Sequence, residues 1–331
     1  MEKLILEKGC QAVEPCVATI GMFDGVHKGH RFVLKQVCDY AKAQGLASCV
    51  ITFDRHPREV VQSDWHPKLL TTFEERMQLL EQTGIDRCVV VPFTKETASL
   101  SARDFMQLMA DRLGVKVLLT GYDNRFGHDR SATFEDYVSY GLMEVKRLPS
   151  LSPNSEESQV SSSMVRKLLE EGNVREAADA LCYPYQITGT VVKGEHVGTK
   201  LGFPTANLQL IDPHKLIPAP GVYAVRVTVN GQWSKVNGQR SKVNGQRSMV
   251  NGQWSMANGN KGMMNIGTRP TFGEHQQTLE VHILDFKGDL YDKEVKVEFI
   301  ERLRDEQRFE SKEELTAQLL KDEMKIKNLK I

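Results

Sequence analysis

Thr19-Ile-Gly-Met-Phe-Asp-Gly-Val-His-Lys-Gly-His30 is the stretch on which the reading of this chain turns. Val17 to Ile20 is an apolar run of strand length that leads into it. Beyond it, Arg31 to Gln44 carries Phe32, Val33, Leu34, Val37, Tyr40 and Ala41 at helical spacing, with Gly45 as a stop. Strand, glycine turn and helix in that order point backbone N–H groups and the positive helix end at one spot, where phosphate is the usual guest. His27 and His30 flank Gly29 at the helix mouth, so two imidazoles can donate to phosphate oxygens as charge builds there.

The bulk numbers bound the rest. At 331 residues the chain is long enough for two domains with proper cores. Lysine plus arginine equals aspartate plus glutamate at 43 each, so no global field draws in nucleic acid or membrane, and any anion site is local. The six cysteines show neither Cys-x-x-Cys nor paired histidine spacing, which favours reduced thiols in a cytoplasmic protein over disulfides or zinc. No apolar run of signal-peptide or membrane-spanning kind is expected.

From residue 17 to about 150 the pattern alternates. Ser48 to Phe53, Arg87 to Pro92 and Val115 to Thr120 read as strands; Phe73 to Thr83 and Ser101 to Leu113 read as amphipathic helices. That order predicts a parallel sheet with helices on both faces, whose ligands bind beyond the carboxyl ends of the strands. His27 and His30 follow the first strand, His56 the second, and Asp123 lies in the loop after Thr120. Pro149 to Gln159 reads as a loop. Val160-Ser-Ser-Ser-Met-Val-Arg166 then opens a helix. A single serine there is an N-cap, but three with Arg166 one turn on suit a triphosphate.

After a helix from Val174 to Cys182 and a stop at Tyr183-Pro-Tyr185, the texture changes to short alternating strands: Gly189–Gly194, Gly221–Val229, Leu279–Leu284 and Glu294–Ile300. These predict a small antiparallel barrel, followed by an amphipathic helix over Lys312–Lys321 with Leu315, Leu319 and Leu320 on its apolar face. Gly198-Thr-Lys-Leu-Gly-Phe-Pro-Thr-Ala-Asn207 supplies a glycine loop, a lysine, and a hydroxyl and amide of the kind Mg²⁺–phosphate accepts.

Together these strings resemble one family. Gly21-x-Phe23-Asp24-Gly25-Val-His27-x-Gly29-His30 is similar to the ATP-binding signature of the nucleotidyltransferase superfamily, in the form seen in bacterial bifunctional riboflavin kinase/FAD synthetases. Thr52-Phe-Asp-Arg-His-Pro57 resembles the family's Thr-Phe-x-Pro-His-Pro, with Arg55 in place of a proline and the turn expected to be looser for it. Ser161-Ser162-Ser163 and Arg166 match its second signature. Pro204-Thr205-Ala-Asn207, Asn265 to Phe272 and Leu279-Glu-Val-His282 resemble its kinase module, as does Arg302 to Phe309. The resemblance implies a Rossmann-like α/β nucleotidyltransferase over 1–183 and a β-barrel kinase over 184–331. It implies ATP as co-substrate, and riboflavin, FMN and FAD as substrates or products. His27 and His30 would act in adenylyl transfer. Gly21, Phe23, Asp24, Gly25, Gly29, His56, Asp123, Ser161, Ser162, Ser163 and Arg166 would line the nucleotide and flavin site. In the kinase module Gly198, Lys200, Gly202 and Pro204 would shape the loop, Thr205 and Asn207 would hold Mg²⁺ and ATP, and Glu280 would be the general base. Thr199 departs from the arginine common in that loop. An adenylyl- or cytidylyltransferase for another phosphate, or a non-catalytic flavin carrier, leaves Glu280 or the two histidines without purpose. Oligomeric state is open.

One segment stands apart. Residues 230–264 repeat a seven-residue unit, Asn-Gly-Gln-Trp/Arg-Ser-Lys/Met-Val, with a degenerate fifth copy. Paired apolar positions for a coiled coil are missing and an Asn-Gly recurs in each unit. It reads as a duplicated hairpin turn, projecting as a long hairpin or a disordered loop, with an interaction arm anchored by Trp233 and Trp254 as the alternative.

Overall fold

The computed structural model describes all residues except 7–13, 63, 65–67, 122–125, 129–130, 149–159, 195–201, 230–232, 237–238, 243–247, 251–252, 256–258, 272–273 and 331; within 231–258 and 268–276 it describes backbone alone. The chain forms two compact units, Met1–Met164 and Val165–Ile331.

The first unit is a six-stranded sheet. Its elements are β1 (Glu2–Ile5), β2 (Cys16–Ile20), α1 (Lys28–Gln44), β3 (Ala47–Phe53), α2 (Pro57–Val61), α3 (Phe73–Glu81), β4 (Arg87–Val91), α4 (Lys95–Ser99), α5 (Ala102–Leu113), β5 (Val115–Thr120), α6 (Phe134–Ser139) and β6 (Glu144–Arg147). The strand order is β1-β4-β3-β2-β5-β6 and every ladder is parallel. β2 and β4 are buried along their whole length. Strands covered on both faces read as continuous apolar runs, which is how they appear in the sequence. Gly45 and Gly114, at φ 64 and 66, end α1 and α5 in the left-handed conformation. Thr72 and Glu75 form a reciprocal cap at the start of α3. β1 and β6 escape the sequence reading because they are short, partly exposed edge strands without a periodic signal.

The second unit begins inside α7 (Ser162–Glu170) and continues with α8 (Val174–Leu181), β7 (Gln186–Val192), β8 (Ala206–Leu210), β9 (Gly221–Val229), β10 (Trp233–Val236), β11 (Gln239–Lys242), β12 (Ser248–Val250), β13 (Gln253–Ser255), β14 (Asn260–Thr271), β15 (Glu274–Ile283), β16 (Glu294–Arg304) and α9 (Lys312–Asn328). Six strands close an antiparallel barrel in the order β14-β15-β8-β7-β16-β9. Leu279, Val281 and Ile283 are buried, as are Met264 and Ile266 opposite them. By the two-residue alternation, Thr278, Glu280 and His282 therefore stand on the outer face. α9 covers part of that face: Ile326 is fully buried among Val222, Ala224, Met263, Phe203 and Leu284, and Asp322 receives Arg304 at 2.8 Å. The helix runs about two turns beyond the expected Lys321. Its deepest contact is Ile326, and Leu320 is exposed, because the tilt of the packed face is set by tertiary contact.

Two short hairpins occupy the repeat. Trp233 pairs with Lys242 and Val236 with Gln239; Ser248 pairs with Ser255 and Val250 with Gln253. Each hairpin is a sheet of its own, outside the barrel, in place of the expected single long hairpin or disordered loop. Two residues, an Asn-Gly pair, separate the strands in each case, the length that two-residue turns require. The fifth copy belongs to the barrel: β14 starts at Asn260, and Met263 and Met264 are buried. Deleting Asn237–Ala257, which joins Val236 to Asn258 in the same phase, should leave both activities that the resemblance implies intact and the melting temperature within about 3 °C of wild type. Calorimetry and product assays check this; loss of an oligomer with activity kept would favour an interaction arm.

Candidate active sites

In the first unit the chain forms β4 on one side of β2 and then crosses to the other side for β5, so β2 lies at a topological switch point. The glycine turn leaves the sheet there. Gly21 N–H still bonds to Ile51 O at 3.0 Å, and Thr52 Oγ1 donates to Met22 O at 3.3 Å. Phe23, Gly25 and Val26 then take φ 53, 85 and 39. Two of these are bulky residues in a region that L side chains avoid, so the turn is strained. Asp24 holds it. Its buried carboxylate accepts from Thr71 N and Oγ1, both at 2.9 Å, and from Leu70 N at 3.0 Å; Thr71 Oγ1 in turn accepts from Gly25 N at 3.1 Å.

The strain sets out the two histidines. His27 is the N-cap residue of α1, its side chain makes no cap bond to the helix, and the first turn holds no acid. The first turn therefore carries no acidic side chain against the positive end of α1. The rings of His27 and His30 stack with centroids 3.7 Å apart, and Phe23 meets His30 edge-on at 5.1 Å. A β-carbon at Gly21 would come 3.1 Å from the Phe23 ring, a tight contact, so glycine there lets Phe23 lie close against the start of the turn. The second signature docks on the same loop: Ser162 Oγ donates to Asp24 O at 2.9 Å. Ser161 accepts from Met164 N at 3.2 Å, the plain cap reading for a single serine. Ser163 is exposed and Arg166 half-buried further along α7.

His56 starts α2. Its Nδ1 accepts from Arg58 N at 3.2 Å, so the ring is neutral with its proton on Nε2, while Glu59 receives the His56 N–H at 3.1 Å. The turn at Arg55 carries hydrogen bonds of its own. Arg55 N–H, which proline lacks, donates to Asp54 Oδ1 at 2.9 Å, and Phe93 N–H donates to the same oxygen at 2.8 Å. Asp123, Gly198, Thr199 and Lys200 lie outside the described residues.

In the barrel, Glu280 faces Asn207 in the β8–β15 ladder and Asn265 in the β14–β15 ladder. Asn207, Glu280 and Asn265 therefore form one polar row across three strands. Thr205 Oγ1 donates to Glu280 Oε2 at 3.4 Å. Pro204 O lies 2.8 Å from His282 Nδ1, and since a carbonyl only accepts, Nδ1 carries the proton. Phe203 packs edge-on against that ring at 5.4 Å. Gly202, at φ 84, makes the turn ahead of Phe203.

Three participants were missed from sequence. Thr71 is far from Asp24 along the chain, and only an aspartate beside a glycine hinted at a hidden partner. Arg76, buried in α3, donates to Phe53 O and contacts Met22 Sδ at 3.3 Å, tying the end of β3 to the turn. A helix-interior arginine looks like a solvated charge, so nothing announced it. Gly194 is the third: a β-carbon there would lie 2.6 Å from Asn207 Cγ and closer still to its Nδ2.

A parallel α/β unit with a glycine turn at its switch point and a closed barrel with a polar row on its outer face are the halves of a two-part nucleotide-dependent transferase. The family model for FAD synthetase matches residues 10–164, and that for riboflavin kinase matches residues 181–330. The bifunctional riboflavin kinase/FMN adenylyltransferase of Escherichia coli K12 is 35% identical over 94% of this chain and 91% of its own length. That of Listeria monocytogenes is 34% identical over 93% and 90%, and that of Bacillus subtilis 33% identical over 92% and 90%. A crystal structure titled macrolide-efflux protein, from Streptococcus pneumoniae, superposes with a TM-score of 0.81 at 29% identity, covering 99% of this chain and 100% of that one. The chain belongs to the bifunctional riboflavin kinase/FMN adenylyltransferase family. Among the described residues no helix is long and apolar enough to cross a membrane.

Gly194→Ala should displace the Asn207 amide and slow riboflavin phosphorylation on the order of 100-fold, as a misplacement of about 1 Å in a site can do. Conversion of supplied FMN to FAD should be unchanged in the same preparation. Phosphorylation at the wild-type rate would show that Asn207 has no part in the reaction.

Proposed function

We propose that this chain carries out two consecutive ATP-dependent reactions, with the barrel phosphorylating riboflavin to FMN and the α/β unit adenylylating FMN to FAD. The two activities are those of its family, and riboflavin, FMN, FAD and ATP are the substrates and products they require. The observation that carries the kinase assignment is the approach of Thr205 to Glu280 within the polar row of the barrel. Glu280 takes the proton of the ribityl 5′-hydroxyl, whose oxygen attacks the γ-phosphorus of ATP as the bond to ADP breaks. Thr205 and Asn207 offer a hydroxyl and a carbonyl oxygen, which fit Mg²⁺ as ligands alongside phosphate oxygens. Among the described residues no cluster of three His, Cys, Asp or Glu side chains is placed to hold a metal ion without phosphate. When bound, Mg²⁺ neutralises charge on the transferring phosphoryl group. His282 and Gly194 keep the Pro204–Asn207 turn and the Asn207 side chain in place.

In the other reaction a phosphate oxygen of FMN attacks the α-phosphorus of ATP and pyrophosphate leaves. His27 and His30 donate to the phosphate oxygens, Ser163 and Arg166 bind the triphosphate, and His56 offers its Nε2–H. Gly21, Phe23, Asp24, Gly25 and Gly29 shape the turn, and Ser161 and Ser162 fix the second signature. The FMN phosphate is already ionised near neutral pH, so no general base is needed. We place the functional boundary at 183/184, with the repeat as an insertion over 230–264 of the kinase domain; the second family match, which begins at 181, supports it. The compartment proposed is the cytoplasm, supported by free thiols at all five described cysteines.

His27→Ala or His30→Ala should slow FAD formation on the order of 100-fold while FMN formation continues, since each removes one transition-state donor. Equal loss of both activities would point to a collapsed fold. Glu280→Gln should reduce riboflavin phosphorylation by roughly 100- to 10,000-fold and spare the conversion of supplied FMN, because an amide accepts no proton at neutral pH. Chromatography of flavin products separates the two steps. A Glu280→Gln enzyme that makes FMN at near wild-type rate would sink the base assignment.

A further inference from the structure

The four complete copies of the seven-residue unit differ from one another in a restricted way. The fourth residue is Trp233, Arg240, Arg247 and Trp254 in turn, and the sixth is Lys235, Lys242, Met249 and Met256. The last copy closes on Ala257 in place of valine, and the asparagine, glycine, glutamine and serine never change.

The register gathers the variable places. In β10–β11, Trp233 stands opposite Lys242 and Lys235 opposite Arg240. Residues directly opposite share a face of a sheet, and so do residues two apart along a strand. Trp233, Lys235, Arg240 and Lys242 therefore lie on one face of the hairpin, with Ser234, Val236, Gln239 and Ser241 on the other. In β12–β13, Met249 is opposite Trp254 on the corresponding face, and Ser248, Val250, Gln253 and Ser255 take the other. Among the described residues of the repeat, what differs between copies is thus confined to one face of each hairpin.

Charge selects the partner for that face. The chain balances 43 cationic against 43 acidic residues, but no aspartate or glutamate occurs between Asp212 and Glu274, while Lys235, Arg240, Lys242 and Arg247 all fall within the repeat. An uncompensated cationic cluster attracts a polyanion. The alternation at the fourth place narrows the choice. Tryptophan and arginine have in common a flat group that stacks on a nucleobase, and arginine also bonds phosphate. Insertion into a bilayer calls for an apolar residue at that place in every copy, and two of the four carry arginine. Arg240 and Lys242 are about 6.8 Å apart along their strand, close to the phosphate repeat of an extended single strand. A duplex keeps its base faces stacked inside and offers none to an indole.

We infer that the hairpin face bearing Trp233, Lys235, Arg240 and Lys242 binds single-stranded nucleic acid, the three cations meeting phosphates and Trp233 stacking on a base. Each hairpin is a sheet of its own outside the barrel, so this binding is separate from the flavin reactions and uses none of their residues.

The test follows the fluorescence anisotropy of a labelled oligouridine of about twelve nucleotides with the full-length enzyme. A duplex of the same length and vesicles of phosphatidylserine and phosphatidylcholine are titrated in parallel. The single strand should bind saturably, and its affinity should fall roughly 20-fold between about 50 and about 200 mM salt, as three phosphate contacts require. Lys235→Ala with Lys242→Ala should weaken binding and flatten the logarithmic salt slope by about 1.4. Trp233→Ala should weaken it about 10-fold, and Trp233→Phe, which keeps a stacking ring, should recover most of that. Deleting Asn237–Ala257 should abolish it. Lys312→Ala with Lys321→Ala, which removes two exposed cations of α9, should leave it unchanged. FMN and FAD formation should stay within about twofold of wild type in every variant, which shows that each is folded. A single strand that does not bind saturably overturns the proposal. So does binding that survives the deletion, a duplex held as tightly as the single strand, or vesicles captured by these residues in its place.

Discussion

The carboxylate of Asp24 restrains a turn that would otherwise relax, and the arrangement of the proposed adenylyl-transfer site follows from it. Left-handed backbone at Phe23 and Val26 costs on the order of 1–3 kcal/mol at each residue. Hydrogen bonds to a charged acceptor contribute about 1.5–3 kcal/mol apiece, and Asp24 accepts from two backbone amides and a hydroxyl. The balance keeps Phe23 against His30 and His30 against His27. A buried carboxylate also needs a compensating field. Burial lowers the Arg76 pKa from its ordinary value, and the negative charge of Asp24 is foremost among the influences that raise it again. The same guanidinium reaches Phe53 O and Met22 Sδ, so one charge pairing steadies both the end of β3 and the turn.

The barrel solves a different problem, that of placing polar chemistry on the outside of a closed apolar core. Alternation along β15 sends Leu279, Val281 and Ile283 inward and leaves Thr278, Glu280 and His282 outside. α9 covers one part of that outer surface through Ile326, and the polar row occupies another. Glycines then do what side chains cannot. Gly194 makes way for the Asn207 amide, and Gly267 lets the Glu306 and Thr278 side chains press close against β14. Both sites are built around absent side chains as much as present ones.

Much of this was legible from sequence because the relevant signals are local. The buried strands β2 through β5 announce themselves as apolar runs, the Gly45 stop ends α1 where expected, and α5 ends at the expected Leu113. What escaped is non-local or aperiodic. The Asp24–Thr71 bonds join segments 47 residues apart, and no pattern in either segment names the other. α1 starts at Lys28 rather than Arg31 because a first helical turn needs no apolar residue. The proline-to-Arg55 change looks loosening on paper, yet the regained N–H is bonded to Asp54. The approach of Glu306 to Gly267 depends on how β16 runs out beside α9, which no spacing encodes. The fifth repeat copy resembles its neighbours in sequence, but its two methionines face packing partners and the copy becomes barrel strand.

The hairpins β10–β11 and β12–β13 sit between two strands, β9 and β14, that pair with each other whatever lies in between. Chain-closure entropy rises only with the logarithm of the connecting length, so each doubling of that connection costs about 0.6 kcal/mol. Copying a seven-residue unit several times at this junction therefore draws little from the stability of the barrel. The ends of β9 and β14 are consequently a permissive port, where foreign sequence can be carried without opening the barrel wall.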